Sequence, residues 1–385
     1  MSAGFLADAD LTPNGLEQAR QRLAGRYIDL TSSNPTHNGH FFPADVLARA
    51  ADAYWPARRY DPHPRGSRGA REAIAAYYAG RGDAIAAPAE TITLTASTSE
   101  AYGLLFALLA DAGDNLLAPR VSYPLFDLLA QAHHLELRPY DLDPARDWAV
   151  DEASLLDAAD ARTRGILLVS PHNPTGAVID AALPAFNRLG LPLIADEVFI
   201  EFAYAKARAP ALARLHPELP VFTLNGVSKM FALPDLKLGW VALNTPAEAA
   251  FGARLDVLND SLLGASGLAQ AMAAPLFAEG GPFLRAMTAA VRANLDLARG
   301  ALRACPRLEV PAPAGGYYLF PRVRDLPVEE EEALCLALLE AGVLVHPGYF
   351  YGEGDDARIM ISCLTETARL REGLARLVDA LGRIA

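Results

Sequence analysis

Cysteine is scarce. Cys305, Cys335 and Cys363 are the only three in 385 residues, about thirty residues apart. An odd, widely spaced set is neither a disulfide framework nor a paired-cysteine metal site. The adjacent pair His133 and His134 would point about 100° apart on a helix and could not share a metal, and no HExxH spacing occurs. No metal is expected. The longest apolar run, around Leu104–Ala110, is far short of a membrane span. The opening MSAGFLADADLTPNG has neither a basic start nor a long apolar stretch, so no secretory signal and no membrane partner are expected. Basic charge is also in deficit: 34 Lys and Arg stand against 46 Asp and Glu, a net charge of −12. With no local basic stripe, nucleic acid is a poor partner. No period of 20–50 residues repeats, which excludes solenoids and propellers. There is no phosphate-binding GxxxxGK[ST], and no GxGxxG opens a helix after the first strand. Gly226-Val-Ser228-Lys229-Met230 lacks the last glycine of a nucleophile elbow. The expectation is a cytoplasmic protein of two domains.

What is present is a large stock of core-forming residues: 52% are hydrophobic and 21% charged. Thr91–Thr95, Asn115–Ala118, Gly165–Ser170, Leu191–Ala195, Val221–Leu224 and Gly239–Leu243 are short apolar or β-branched runs of the length of buried parallel strands. Helical stretches such as Ser99–Ala112, Pro124–His134 and Ala181–Leu189 lie between them. This alternation predicts an α/β fold, a large domain with a mostly parallel sheet flanked by helices. After a long helix over 281–305, strands and helices mix in an α+β pattern. The expected division is a large domain over 46–275 and a smaller one over 276–385, joined by the N-terminal segment 1–45.

Ligand crevices of open α/β sheets lie beyond the carboxyl ends of strands, and four such ends carry polar residues. Ser97-Thr98-Ser99 precedes a helix and suits either a plain cap or a phosphate cradle. Asn173 projects from the loop Ser170-Pro-His-Asn-Pro-Thr-Gly176. Asp196 closes an apolar run, where a buried carboxylate needs a partner; a turn cap is the plainer reading. Lys229 follows Ser228 beyond another strand; it is either an exposed lysine or an amine nucleophile.

Their order, together with the segments PHNPTG, ADEVF, GVSKMFALPDLKLGW and ARIMIS, resembles the aspartate-aminotransferase superfamily, class I/II, fold type I of the pyridoxal-phosphate enzymes. The likeness runs from about Leu30 to the C-terminus. It implies pyridoxal 5'-phosphate as cofactor, held as a Schiff base by Lys229, and transfer of an α-amino group from an L-amino acid to a 2-oxo acid through pyridoxamine phosphate. It implies that Asp196 pairs with the pyridine nitrogen and that Asn173 donates to the ring oxygen. Ser97, Thr98 and Ser99, with Ser228 nearby, would hold the phosphate, and Tyr123 would stack on the ring. Tyr60 would reach the neighbouring site of a homodimer. Arg358 would grip the substrate carboxylate, with Ser33 and Asn34 at the mouth. A C–S β-lyase is the alternative on the same fold, and a PLP-binding module without turnover a further one.

Departures from the family pattern stand out. Phe199 occupies a usual tyrosine position, Gly226 a usual serine, Lys237 a usual arginine, and Ser33 a usual glycine. Phe41, Phe42, Tyr317, Tyr318, Tyr349, Phe350 and Tyr351 lie in the loops that would flank the substrate, which predicts an apolar or aromatic amino-acid substrate.

Overall fold

The computed structural model describes Leu6 and residues 9–82, 87–204, 208–352 and 354–383. Its centre is a seven-stranded sheet. The strands are β2 (Ile92–Thr95), β3 (Asn115–Pro119), β4 (Glu136–Tyr140), β5 (Thr163–Val169), β6 (Leu193–Asp196), β7 (Val221–Gly226) and β8 (Gly239–Leu243), in the order β2-β8-β7-β6-β5-β3-β4. β6, β7 and β8 are buried at every residue, which is why they read as mostly apolar runs. Helices cover both faces. On one, α3 (Arg68–Gly80) and α6 (Gly267–Glu279) pack on each other, and Ile74 and Tyr78 of α3 share a core with Trp240. On the other, α4 (Thr98–Leu109) and α5 (Leu125–Ala132) set Leu105, Phe106 and Phe126 against Phe222 and Val241.

One strand departs from the expectation of parallel pairing. β8 runs antiparallel to both β7 and β2. Only twelve residues separate β7 from β8, and they hold a single turn of helix, Val227–Met230. A parallel crossover needs at least that much chain, usually with a full helix, so the chain re-enters the sheet from the end it left.

A second core gathers residues from Met287 to Leu381 with the N-terminal Leu16, Ala19, Ile28 and Leu30. α7 (Gly281–Arg303) packs on α9 (Thr367–Arg383), and α1 (Gly15–Arg22) on α8 (Glu331–Glu340). β1 (Ile28–Asp29) pairs in parallel with β10 (Val343–Leu344). A three-stranded sheet, β9 (Tyr318–Leu319), β12 (Ile359–Ser362) and β11 (His346–Pro347) in that order, completes this unit. α2 (Ala44–Ala57) packs on α6 of the large unit. Among the described residues no helix is long and apolar enough to cross a membrane.

Candidate active site

The carboxyl ends of β5, β6 and β7 and the start of α4 converge on a cavity of about 230 Å³. It is lined by Ser97, Thr98, Ser99, Tyr102, Tyr123, Phe126, Asn173, Asp196, Phe199, Gly226, Ser228, Lys229 and Lys237, with Ser33 and Tyr318 from the smaller unit. Parallel strands bring this about: residues after the ends of neighbouring strands fall side by side however far apart they lie in the chain.

Ser97 caps α4, its side chain accepting from the Glu100 N–H at 3.1 Å, while the Glu100 carboxylate accepts from the N–H of Ala96. This reciprocal box satisfies two donors and leaves the N–H groups of Thr98 and Ser99 at the positive end of a twelve-residue helix. Gly239 of β8 passes close behind. A Cβ there would stand 3.1 Å from the Ser97 carbonyl carbon and 3.2 Å from the Thr98 nitrogen. Such a helix start, with hydroxyls on both sides, could hold a phosphate.

Asp196 lies at the floor, 6% exposed. Its Oδ2 accepts from the Tyr102 hydroxyl at 2.6 Å and its Oδ1 from the Val198 N–H at 3.0 Å. Burial pushes its carboxyl above the usual range, and the two donors and the charge of Lys229 only partly offset this. A cationic partner placed against it would reverse that balance. Asn173 is 8% exposed, and its Oδ1 has no partner. The Lys229 amine sits 5.8 Å from the centre of the Phe199 ring, on the one-turn helix after β7. Lys237 reaches the cavity from a backbone with φ of +56°.

An aromatic wall closes one side. Tyr102 and Tyr123 both contact Phe126, at ring separations of 4.9 and 5.8 Å. Of the seven loop aromatics expected near substrate, Tyr318 alone lines the cavity. Tyr317 is wedged between Phe199 and Phe202, and Phe42 between Phe231 and Phe283. Phe41 is exposed. Tyr349, Phe350 and Tyr351 line an adjoining groove that shares Tyr123 and Phe126 with the cavity.

Three other expected residues stand apart from it. Asn34 turns back on its own loop, accepting from the N–H and hydroxyl of Thr36. Tyr60, 81% exposed, projects from the segment after α2. Arg358 lies outside the cavity lining, against Asp356, Trp148 and Phe320. Conversely, sequence reasoning missed Tyr102. Its one signal is its place four residues after Thr98, one helical turn into α4.

Comparison with known proteins agrees with this geometry. The family model for aminotransferase class I and II matches residues 26–377. Human tyrosine aminotransferase is 28% identical over 306 residues, 76% of this chain and 66% of that enzyme's length. The Caenorhabditis elegans tyrosine aminotransferase is 25% identical over 357 residues, 89% of this chain and 76% of its own. The chain thus spans about two thirds of the mammalian relative and three quarters of the nematode one. Among solved structures, alanine aminotransferase from Pyrococcus furiosus superposes with a TM-score of 0.89 over the whole of both chains at 23% identity, a likeness of fold. With the family model covering nearly its full length, the chain belongs to the class I and II aminotransferases.

Proposed function

We propose that this protein transfers an α-amino group between an L-amino acid and a 2-oxo acid with pyridoxal 5'-phosphate as cofactor, and that Lys229 is the amine to which the cofactor bonds. The observation that carries the proposal is the convergence on one cavity of Lys229, a buried Asp196, an unpartnered Asn173 and the open start of α4. The residues fit the group. Thr98 and Ser99 offer free N–H donors to a phosphate, and Asn173 carries an amide whose oxygen has no partner in the protein. Asp196 is a carboxyl whose ionised form burial disfavours and a cationic partner would favour.

When bound, the cofactor supplies an electron sink for the pair left behind when the substrate loses its Cα proton. The chain's own residues do the rest. Asp196, steadied by Tyr102 and Val198, would hold the ring nitrogen in its protonated form. Phe199 has no hydroxyl to offer the ring oxygen, which Asn173 would hold. The Lys229 amine would be the base that moves a proton at the substrate carbon. Tyr123, Phe126 and Tyr318 give the cavity an aromatic side. Together with the tyrosine aminotransferase relatives, that favours aromatic or apolar donors over aspartate. We further propose a homodimer in which Tyr60 enters the partner's site.

The test is spectroscopic. Purified protein should absorb in the visible, and borohydride should fix the cofactor to wild type and not to Lys229→Ala; fixation in the variant would refute the assignment. Single amino acids added one at a time should convert the cofactor to its amine form, aromatic donors best. Release of ammonia and pyruvate instead would mark a lyase.

A further inference from the structure

Arg358 is the residue that the resemblance would place on the substrate carboxylate, and the register of the small sheet puts it elsewhere. β9 and β12 run antiparallel with Tyr318 opposite Ser362 and Leu319 opposite Ile361. The bridge between Arg322 and Arg358 continues the same register, which sets Phe320 opposite Met360. Directly opposed residues share a face, and alternate residues along a strand share it too. That face is therefore built of three rows: Tyr318 with Ser362, Phe320 with Met360, and Arg322 with Arg358. The first row borders the cavity. Tyr318 lines it, and Ser362 donates through its hydroxyl to the carbonyl of Ser32, at 2.8 Å, next to the lining residue Ser33. The second row is apolar and buried. Arg358 is in the third, four residues along the strand from Ser362, or roughly 13 Å.

Its guanidinium also has partners there. It donates to the Asp356 carboxylate at 3.2 Å and to the Phe320 carbonyl at 3.4 Å. It lies over Trp148 at 4.6 Å and over Phe320 at 5.7 Å. Its backbone N–H donates to the buried Glu331 at 2.6 Å. Trp148 is carried by the large unit's hairpin between Leu142–Asp143 and Ala149–Val150, and its ring is buried in the second core beside Phe320. The Arg358–Trp148 stack thus helps hold this hairpin of the large unit in the second core.

We infer that Arg358 is a positioning residue, a tie between the two units through Trp148, and that it does not bind the substrate carboxylate. In this chain the cavity lining holds no arginine among the described residues, and its cations are Lys229 and Lys237. Selection of the outer end of the substrate then falls to Tyr318 and Ser33. The kinetic part of this inference rests on the aminotransferase reading; the tie itself does not.

Two measurements test it. In the holoenzyme, kcat/KM is compared for an amino-acid donor and for the amine made from it by decarboxylation, in wild type, Arg358→Gln and Arg358→Lys. A tie changes both substrates together, and their ratio stays within about threefold of wild type. A carboxylate grip would lower the ratio by roughly 10- to 100-fold, and that result overturns the proposal. In the cofactor-free protein, melting temperatures are measured for Arg358→Lys, Trp148→Phe and the double variant. Arg358→Lys keeps the charge and loses the planar stack. Each single change should lower the melting temperature and the double change should add little more. Additive or absent shifts would remove the tie. Absence of any half-reaction in wild type would sink the aminotransferase reading and leave the melting cycle to decide the tie alone.

Discussion

At Asp196 stability and function pull in opposite directions. Burial raises the folded pKa of this carboxyl above its ordinary value, against the Tyr102 and Val198 donors and the charge of Lys229. A carboxyl raised in this way binds its proton more tightly folded than unfolded. Its contribution is most favourable below the unfolded value of about 3.9 and is lost as pH rises through the folded value. At neutral pH the ionised group is therefore a cost to the cofactor-free protein. Asp196→Asn should raise the melting temperature of that form at pH 7, and the gain should shrink as the pH falls toward 4. The same variant should lose about 10²–10³-fold in kcat, because a neutral amide cannot hold the ring nitrogen in its protonated form. Calorimetry across pH and turnover assays read the two effects separately. A variant that is less stable at pH 7 would contradict the account of burial. Tyr102→Phe leaves one Asp196 oxygen without its donor and should reduce turnover by a smaller factor, about tenfold.

The element that matters most is the start of α4, where β2, β8 and the helix meet. Gly239 is the closest approach. Any side chain there would press on the Ser97 carbonyl carbon, the Thr95 hydroxyl and the Thr98 nitrogen. Gly239→Ala should therefore weaken cofactor affinity, measured by titrating pyridoxal phosphate into the cofactor-free protein, by about tenfold or more while leaving the sheet folded. Unchanged affinity would mean that the cradle yields at no cost. Ser97→Ala removes the cap and should destabilise the protein by about 1 kcal/mol. Much of this element was readable in advance: the β-branched TITLT and the Ser/Thr run before a helix are local signals, and β2 and α4 start within a residue of where they were expected. So are the polar residues closing β6 and following β5 and β7. Three features were not readable, and each depends on distant chain. The direction of β8 is set by the short connection behind it. Tyr102 meets Asp196 from 94 residues away. The place of Arg358 depends on a strand register that aligns it two rows from the cavity, which its position beside IMIS does not reveal.

On the scale of the whole molecule, the surface carries large apolar side chains that a solvated face does not need. Phe41, Trp55, Tyr60, Val257, Leu262 and Leu263 are all more than half exposed. They come from α2 and its flanks and from the end of the Thr245–Ser261 helix. Tyr60 has no contact with its own subunit's cavity. If it completes the neighbouring site, two defective subunits should repair one another. Lys229→Ala abolishes the site that it carries and still lends Tyr60; Tyr60→Ala keeps Lys229 and lends nothing. Mixed by unfolding and refolding in equal amounts, random pairing makes half the dimers hybrid, each with one intact site of two. The mixture should recover about a quarter of wild-type activity, from parents that are each nearly inactive. Activity no higher than the average of the two parents, with hybrid dimers demonstrated by native mass, would show that each subunit builds its site alone.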